Sequence, residues 1–202
     1  MKFDAFLPHV MPSVIGCPEA LALTHIVRAA REFCAHTLVW NYETSPIPSA
    51  AGVSRYTLQI DAGAELVRLF GVRVGDDDYD VPNGFTGRRL MREGMGSIAV
   101  MVGNQDFNLS PAPTLDGLDI VTDLSVKPTL DAVTWPDDLS AYVTDIAYGA
   151  IASLCVLPRQ DWTDTATAGI NAGLFKDRIG TVGFQVSKGM GRSKQRPYVE
   201  FF

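Results

Sequence analysis

The sequence predicts an α+β fold: a helical bundle with an inserted small antiparallel β domain and an extended C-terminal arm. Apolar residues repeat with helical spacing near both ends of the chain, and between them the pattern changes to the alternation typical of strands. After the last helical stretch both periods disappear. We therefore assign residues 1–42 and 136–188 to the bundle, 43–135 to the inserted β domain and 189–202 to the arm.

Composition limits the possible functions. A hydrophobic fraction of 47% with 20% charged residues is typical of a globular chain. The net charge of −6 disfavours a protein that binds nucleic acid through its phosphates, because such proteins are usually basic. The three scattered cysteines predict no disulfide framework and favour a reducing, cytoplasmic origin. The longest apolar run, residues 146–157, is shorter than the roughly 20 residues of a membrane span, so we expect no membrane association.

The first predicted helix covers residues 19–38, directly after Pro18, which suits a first helical turn. Its apolar positions form one stripe, whereas His25 is predicted on the opposite side. His25 and His36 lie about 16 Å apart at the helical rise and have no third partner, so we expect them to be surface or hydrogen-bonded histidines without a metal.

Residues 43–54 are rich in proline and small side chains and predict a loop. Residues 55–127 then predict a mostly antiparallel β region. Its acidic turn has Asp76, Asp78 and Asp80 at the spacing that opens a calcium loop. However, Val81 and Gly87 stand where that motif needs glycine and a bidentate glutamate, so we interpret the turn as a solvated hairpin tip.

Two further helices are predicted, over residues 137–157 and 164–188. Pro136 and the acidic residues after it suit a helix N-terminus, Pro158 ends the first of the two helices, and a Thr or Asp at 163 or 164 can cap the second.

The last helix contains Gly169, Gly173, Gly180 and Gly183, and each glycine in a helix interior costs about 0.8 to 1 kcal/mol relative to alanine. Something must offset this cost. With Ala166, the first two glycines form a face that allows another backbone to approach closely. Two explanations are open: close helix packing inside the chain, or a close contact between protomers.

The arm follows this helix and reads "SKGMGRSKQRPYVEFF" from residue 187. From Arg159 onward seven basic residues face four acidic ones, so this part carries +3 and residues 1–158 carry −9. Exposed aromatic side chains after a glycine-containing linker predict docking on a partner. The alternative is a terminal strand of the protein's own sheet. The predicted partner-binding residues of the arm are Arg192, Lys194, Arg196, Tyr198, Phe201 and Phe202.

Known catalytic patterns are missing. The sequence has no "GxxxxGK", "GxSxG" or "HExxH", and no "GxGxxG" between a strand and a helix. We therefore predict no catalytic residue, no metal site and no cofactor, and we do not expect an enzyme.

The order of these features resembles the head-to-tail adaptor, or connector, proteins of tailed bacteriophages. The resemblance covers most of the chain and lies in "REFCAHTLVW", "RYTLQIDAGAELVRLFGVRVG", the "PDDL" helix, the "GAIASLCVLP" stop, the tryptophan turn and the basic tail. One departure is "GTVGFQVSKG" in the last helix, where similar proteins are rich in Ala and Arg.

The resemblance implies a structural virion protein, assembled in the host cytoplasm as a homo-oligomeric, dodecameric ring in the phage neck. Its expected partners are the portal protein and a tail or nozzle protein, and genomic DNA would pass through the lumen without tight binding. An acidic body suits such a channel, because phosphate contacts would slow the DNA. Two alternatives stay open: another neck ring, such as a stopper or tail-completion protein, and a small enzyme with an unrecognised site.

We predict that deleting residues 189–202 leaves a folded, soluble protein with a nearly unchanged thermal midpoint that no longer joins the portal. Ordering the arm costs about 1 to 2 kcal/mol per residue, so a single arm binds weakly and only a ring makes the contacts cumulative. Thermal denaturation and co-sedimentation with portal assemblies measure the two effects. Unfolding of the shortened chain would place the arm in the protein's own core.

Overall fold

The computed structural model of the protein describes residues 1–82 and 96–189. Four α-helices lie in this part of the chain: α1 (Leu7–Val10), α2 (Glu19–Thr37), α3 (Val143–Cys155) and α4 (Thr165–Ser187). Short 3-10 turns precede and follow α1, at Phe3–Phe6 and Met11–Ser13, and a longer one, Asp137–Tyr142, leads into α3.

Eight strands form one sheet. They are β1 (Asn41–Glu43), β2 (Ile47–Pro48), β3 (Arg55–Thr57), β4 (Ala64–Val74), β5 (Asp77–Asp80), β6 (Ile98–Met101), β7 (Asp106–Ser110) and β8 (Asp119–Pro128). Seven strands follow the order β1-β8-β4-β5-β6-β7-β3 and curl into a half-barrel, and β2 also pairs with β8. The pairs are antiparallel except β5 with β6.

The predicted helical bundle with a small inserted β domain is wrong. The fold is mixed α/β, with a curled sheet that is a principal layer of the molecule. One reason is that the proline-rich segment 43–54, predicted as a loop, contains β2 and follows β1, and both strands pair with β8. Strands this short have no measurable period in the sequence, so their pairing is decided by the long partner strand. Whether residues 43–135 form a unit of their own stays a prediction.

Helices α2, α3 and α4 lie close to the predicted positions, although the first turns of the segment predicted over 137–157 are 3-10, and α1 is not among the predicted helices. The carboxylate of Asp164 accepts hydrogen bonds from the backbone N–H groups of Ala166 and Thr167, which makes it the N-cap of α4. Helix α2 ends at Leu38, whose φ of 57° is left-handed. Among residues 1–82 and 96–189, none of the helices combines the length and apolar character that a bilayer crossing requires.

Two clusters of buried side chains meet at Trp40. One lies among the N-terminal segment and the helices, the other lies on the sheet, and Trp40 packs against both. Its ring centroid is 6.0 Å from that of Trp135, which is itself in contact with Phe3 and Phe6. The helical and the sheet layers therefore share an aromatic junction.

A second link ties α2 to the sheet. The guanidinium of Arg31 donates to the carbonyl of Pro128 (2.6 Å) and to the carboxylate of Glu65 (2.7 Å). Lys127 Nζ lies 2.9 Å from the same carboxylate. Burial raises the pKa of Glu65, but the hydrogen bonds from Arg31 and Lys127 outweigh it and hold this pKa below its ordinary value.

We predict that this carboxylate makes stability depend on pH. Because the pKa of Glu65 is lower in the folded state, its contribution is fully present above the unfolded value of about 4.3 and is lost as the pH falls through the folded pKa. The contribution of Glu65 to stability is measured by comparing the urea unfolding midpoints of wild type and Glu65→Gln between pH 7 and pH 3. The difference between the two midpoints should become smaller as the pH falls. Midpoints that run parallel over this pH range would contradict a lowered pKa of Glu65 in the folded protein.

Candidate functional site

Helix α4 is held to the rest of the protein by a narrow stripe. Of its 23 residues, Ala168, Phe175 and Val182 are buried, and they repeat every seven residues along one face. Ile179 and Val186 pack against the same core from partly buried positions. The opposite face of the helix is left to solvent.

Phe175 of α4 packs closely over Gly149 of α3. A Cβ atom on Gly149 would lie 2.9 Å from two ring atoms of Phe175 and 3.0 Å from the Cβ of Ala29 on α2. The Phe175 ring also lies beside Phe33, with centroids 6.2 Å apart. The three helices therefore meet at a point where only glycine fits without displacement of its neighbours.

The glycines of α4 have a different environment. A Cβ on Gly169, Gly173 or Gly180 would meet no described residue within 4 Å, whereas one on Gly183 would lie 3.5 Å from the carbonyl oxygen of His36. The distance at Gly183 is an ordinary van der Waals contact, so packing within the described part of the chain requires glycine at none of these four positions. Ala166, Gly169 and Gly173, the predicted interface residues, are all exposed.

Large apolar side chains share this outer face with the glycines. Ile170 is 66% exposed, Phe184 60% and Leu174 41%. At about 100° per residue, Ala166, Ile170, Gly173 and Phe184 project within about 60° of one another. We call the set Ala166, Gly169, Ile170, Gly173, Leu174, Gly180 and Phe184 the outer face of α4. It combines apolar surface with backbone that a partner can approach closely.

One charged residue of α4, Asp177, projects into this face, about 20° from Ala166 at about 100° per residue, whereas Lys176 lies at its edge. Arg178 donates two hydrogen bonds to the buried Asp145 of α3, from Nε (2.8 Å) and from Nη2 (3.0 Å), so it stabilises the inner side of the helix. The ammonium of Lys188 stands 4.1 Å from the ring centroid of Phe184. Lys176 and Asp177 are exposed. The sequence pattern did not reveal the Arg178 pair, because its two residues belong to different helices.

The other predicted site residues fall in several places. The arm residues Arg192, Lys194, Arg196, Tyr198, Phe201 and Phe202 lie outside the described residues. His25 is buried, not on the solvent side of α2, and its Nδ1 lies 2.8 Å from Ser153 Oγ of α3, so of the two predicted alternatives it is the hydrogen-bonded histidine. Burial, with a smaller effect of Arg28, lowers its pKa. His36 is exposed.

The cysteine thiols are buried. Cys17, Cys34 and Cys155 are buried, and burial raises the pKa of the Cys34 thiol to about 12. No group of three potential metal ligands occurs within residues 1–82 and 96–189.

A polar pocket of about 310 Å³ lies on the sheet. Its carboxylates come from Glu43, Asp78, Asp80 and Asp123, beside Arg73. Burial, and then the charge of Glu43, raises the pKa of Asp123. Among the described residues, the lining of this pocket includes no histidine, cysteine, serine or lysine that could act with these carboxylates. We interpret the pocket as part of an acidic surface.

No protein-family model matches the sequence, and a search of curated proteins finds no match. The outer face of α4 is therefore assessed on its geometry alone.

We predict opposite effects for two glycine-to-alanine changes. Gly149→Ala should lower the free energy of unfolding by about 1 to 3 kcal/mol, because the added methyl overlaps Phe175 and Ala29. Gly169→Ala, the matched control in open space, should raise it by up to about 1 kcal/mol through helix propensity. Denaturant unfolding at low micromolar concentration measures both. If Gly149→Ala proves the more stable variant, the three helices do not meet as described.

Proposed function

We propose that this chain is a head-to-tail adaptor of a tailed bacteriophage, which assembles as a ring between the portal and the tail. The observation that carries the proposal is the outer face of α4. Its three open glycines weaken an isolated helix, and its exposed Ile170, Leu174 and Phe184 leave apolar surface in water. Both costs are offset when a second protomer covers the face.

The charge distribution supports the same function. Residues 1–158 carry a net charge of −9, and the pocket on the sheet gathers four carboxylates on one surface. DNA that must slide through a channel is held back by phosphate contacts to basic residues, so an acidic lining favours passage. The sequence resemblance to phage adaptors supplies the portal and the tail protein as partners.

The direct test is electron cryomicroscopy of virions whose genome encodes this chain. We expect the protein as a ring next to the portal. A ring one layer further toward the tail would indicate the stopper or tail-completion alternative. Absence of the chain from the virion would overturn a structural role and return attention to a small enzyme.

We predict that the double variant Ile170→Asp/Leu174→Asp stays folded but does not form rings, because two carboxylates on the outer face oppose its burial. The matched control is Leu115→Asp, at a side chain that is 61% exposed in the loop before β8. Sedimentation velocity and electron microscopy measure assembly, and circular dichroism checks the fold. Normal rings from the double variant would show that assembly uses another surface.

A further inference from the structure

A second exposed apolar surface lies on another side of the molecule. The N-terminal residues Phe3 and Asp4, the α2 residues Leu23 and Val27, and the connection 129–134 after β8 enclose a groove of about 480 Å³. Two large side chains of this connection remain in solvent, Leu130 (68% exposed) and Val133 (71% exposed). We call this surface the N-terminal groove.

The N-terminal groove and α4 lie on opposite flanks of α2. Val27 lines the groove, whereas His36 lies beside α4, where its carbonyl oxygen would contact a Cβ on Gly183. The two residues are nine positions apart, which is about 180° around a helix at about 100° per residue. A copy of the protein placed against one flank therefore leaves the other flank free.

The two surfaces have opposite charge. The lining of the N-terminal groove contains the exposed carboxylates Asp4 and Asp131 and one basic residue, Lys2, which leaves a net charge of −1; the nearby Asp137 is paired with the Met1 ammonium. On the outer face of α4 and at its edges, Lys176 and Lys188 against Asp177 leave a net charge of +1, since Arg178 is paired with Asp145. An acidic apolar groove and a basic apolar helix are complementary in both charge and polarity.

We infer that the outer face of α4 on one protomer binds the N-terminal groove of the next copy of this chain. The inference rests on the proposed ring and names its interface. Each protomer then contributes a helix on one flank and a groove on the other, which is a heterologous contact and closes a ring when the rotation between copies allows it. The open glycines let the α4 backbone approach the groove, and Ile170 and Leu174 meet Leu130 and Val133.

Cysteine cross-linking tests this contact in the full-length protein. The native cysteines are buried, so a thiol reagent reports mainly on introduced ones. The test variant is Leu174→Cys/Val133→Cys, treated with a short bifunctional thiol reagent, and the matched control is Leu174→Cys/Leu115→Cys. We expect a ladder that extends beyond dimers in the test variant, about tenfold stronger than in the control, because bound thiols meet at a high effective concentration.

The single variant Leu174→Cys distinguishes the alternative geometry. If two α4 helices pack on each other, this variant alone gives dimers and the double variant extends no further, which would overturn the inference. Electron microscopy of the same samples without reagent distinguishes failure of the proposed interface from failure of the proposed ring. Rings without a ladder would overturn the interface and leave the proposed function standing, whereas monomers without a ladder up to millimolar concentration would count against both.

Discussion

The contact between Phe175 and Gly149 is the constraint on which the arrangement of the last helix depends. It brings α4 close to α3 and α2 at one point, with Ala29 and Phe33 completing the contact. Because the helix is fixed at this narrow stripe and by the Arg178–Asp145 pair, its other side has no partner among residues 1–82 and 96–189. The surface that we propose for assembly is therefore a direct consequence of how the inner side is packed.

The rest of the molecule gives this helix a rigid support. Trp40 and Trp135 join the helical and sheet clusters, and Arg31 ties α2 to Glu65 and to the carbonyl of Pro128. A helix that must present a binding face needs such support, because a partner gains little from a surface that first has to be ordered. The mixed α/β architecture provides the support better than the separate bundle that the sequence predicts.

The sequence predicts the helices well, since α2, α3 and α4 have long apolar stripes and α4 has its cap at Asp164. It fails for β1 and β2, which are too short to show a period and exist because β8 pairs with them. It also recognises that the α4 glycines need an explanation but leaves two explanations open. Gly149, which allows α4 to pack closely on α3, is a single glycine in a helix whose sequence is otherwise ordinary. Its role as the contact point is visible only from the positions of Phe175 and Ala29.

Hydrogen exchange of α4 as a function of protein concentration tests most directly whether its outer face is an assembly surface. Amides in residues 166–184 exchange through local opening, which burial by a second protomer suppresses, whereas amides in the core of α2 are protected by the chain itself. We expect protection of 166–184 to rise with concentration while protection of residues 22–34 stays constant. Equal protection of α4 at every concentration, with the protein assembled at the highest, would contradict the proposed role of this helix.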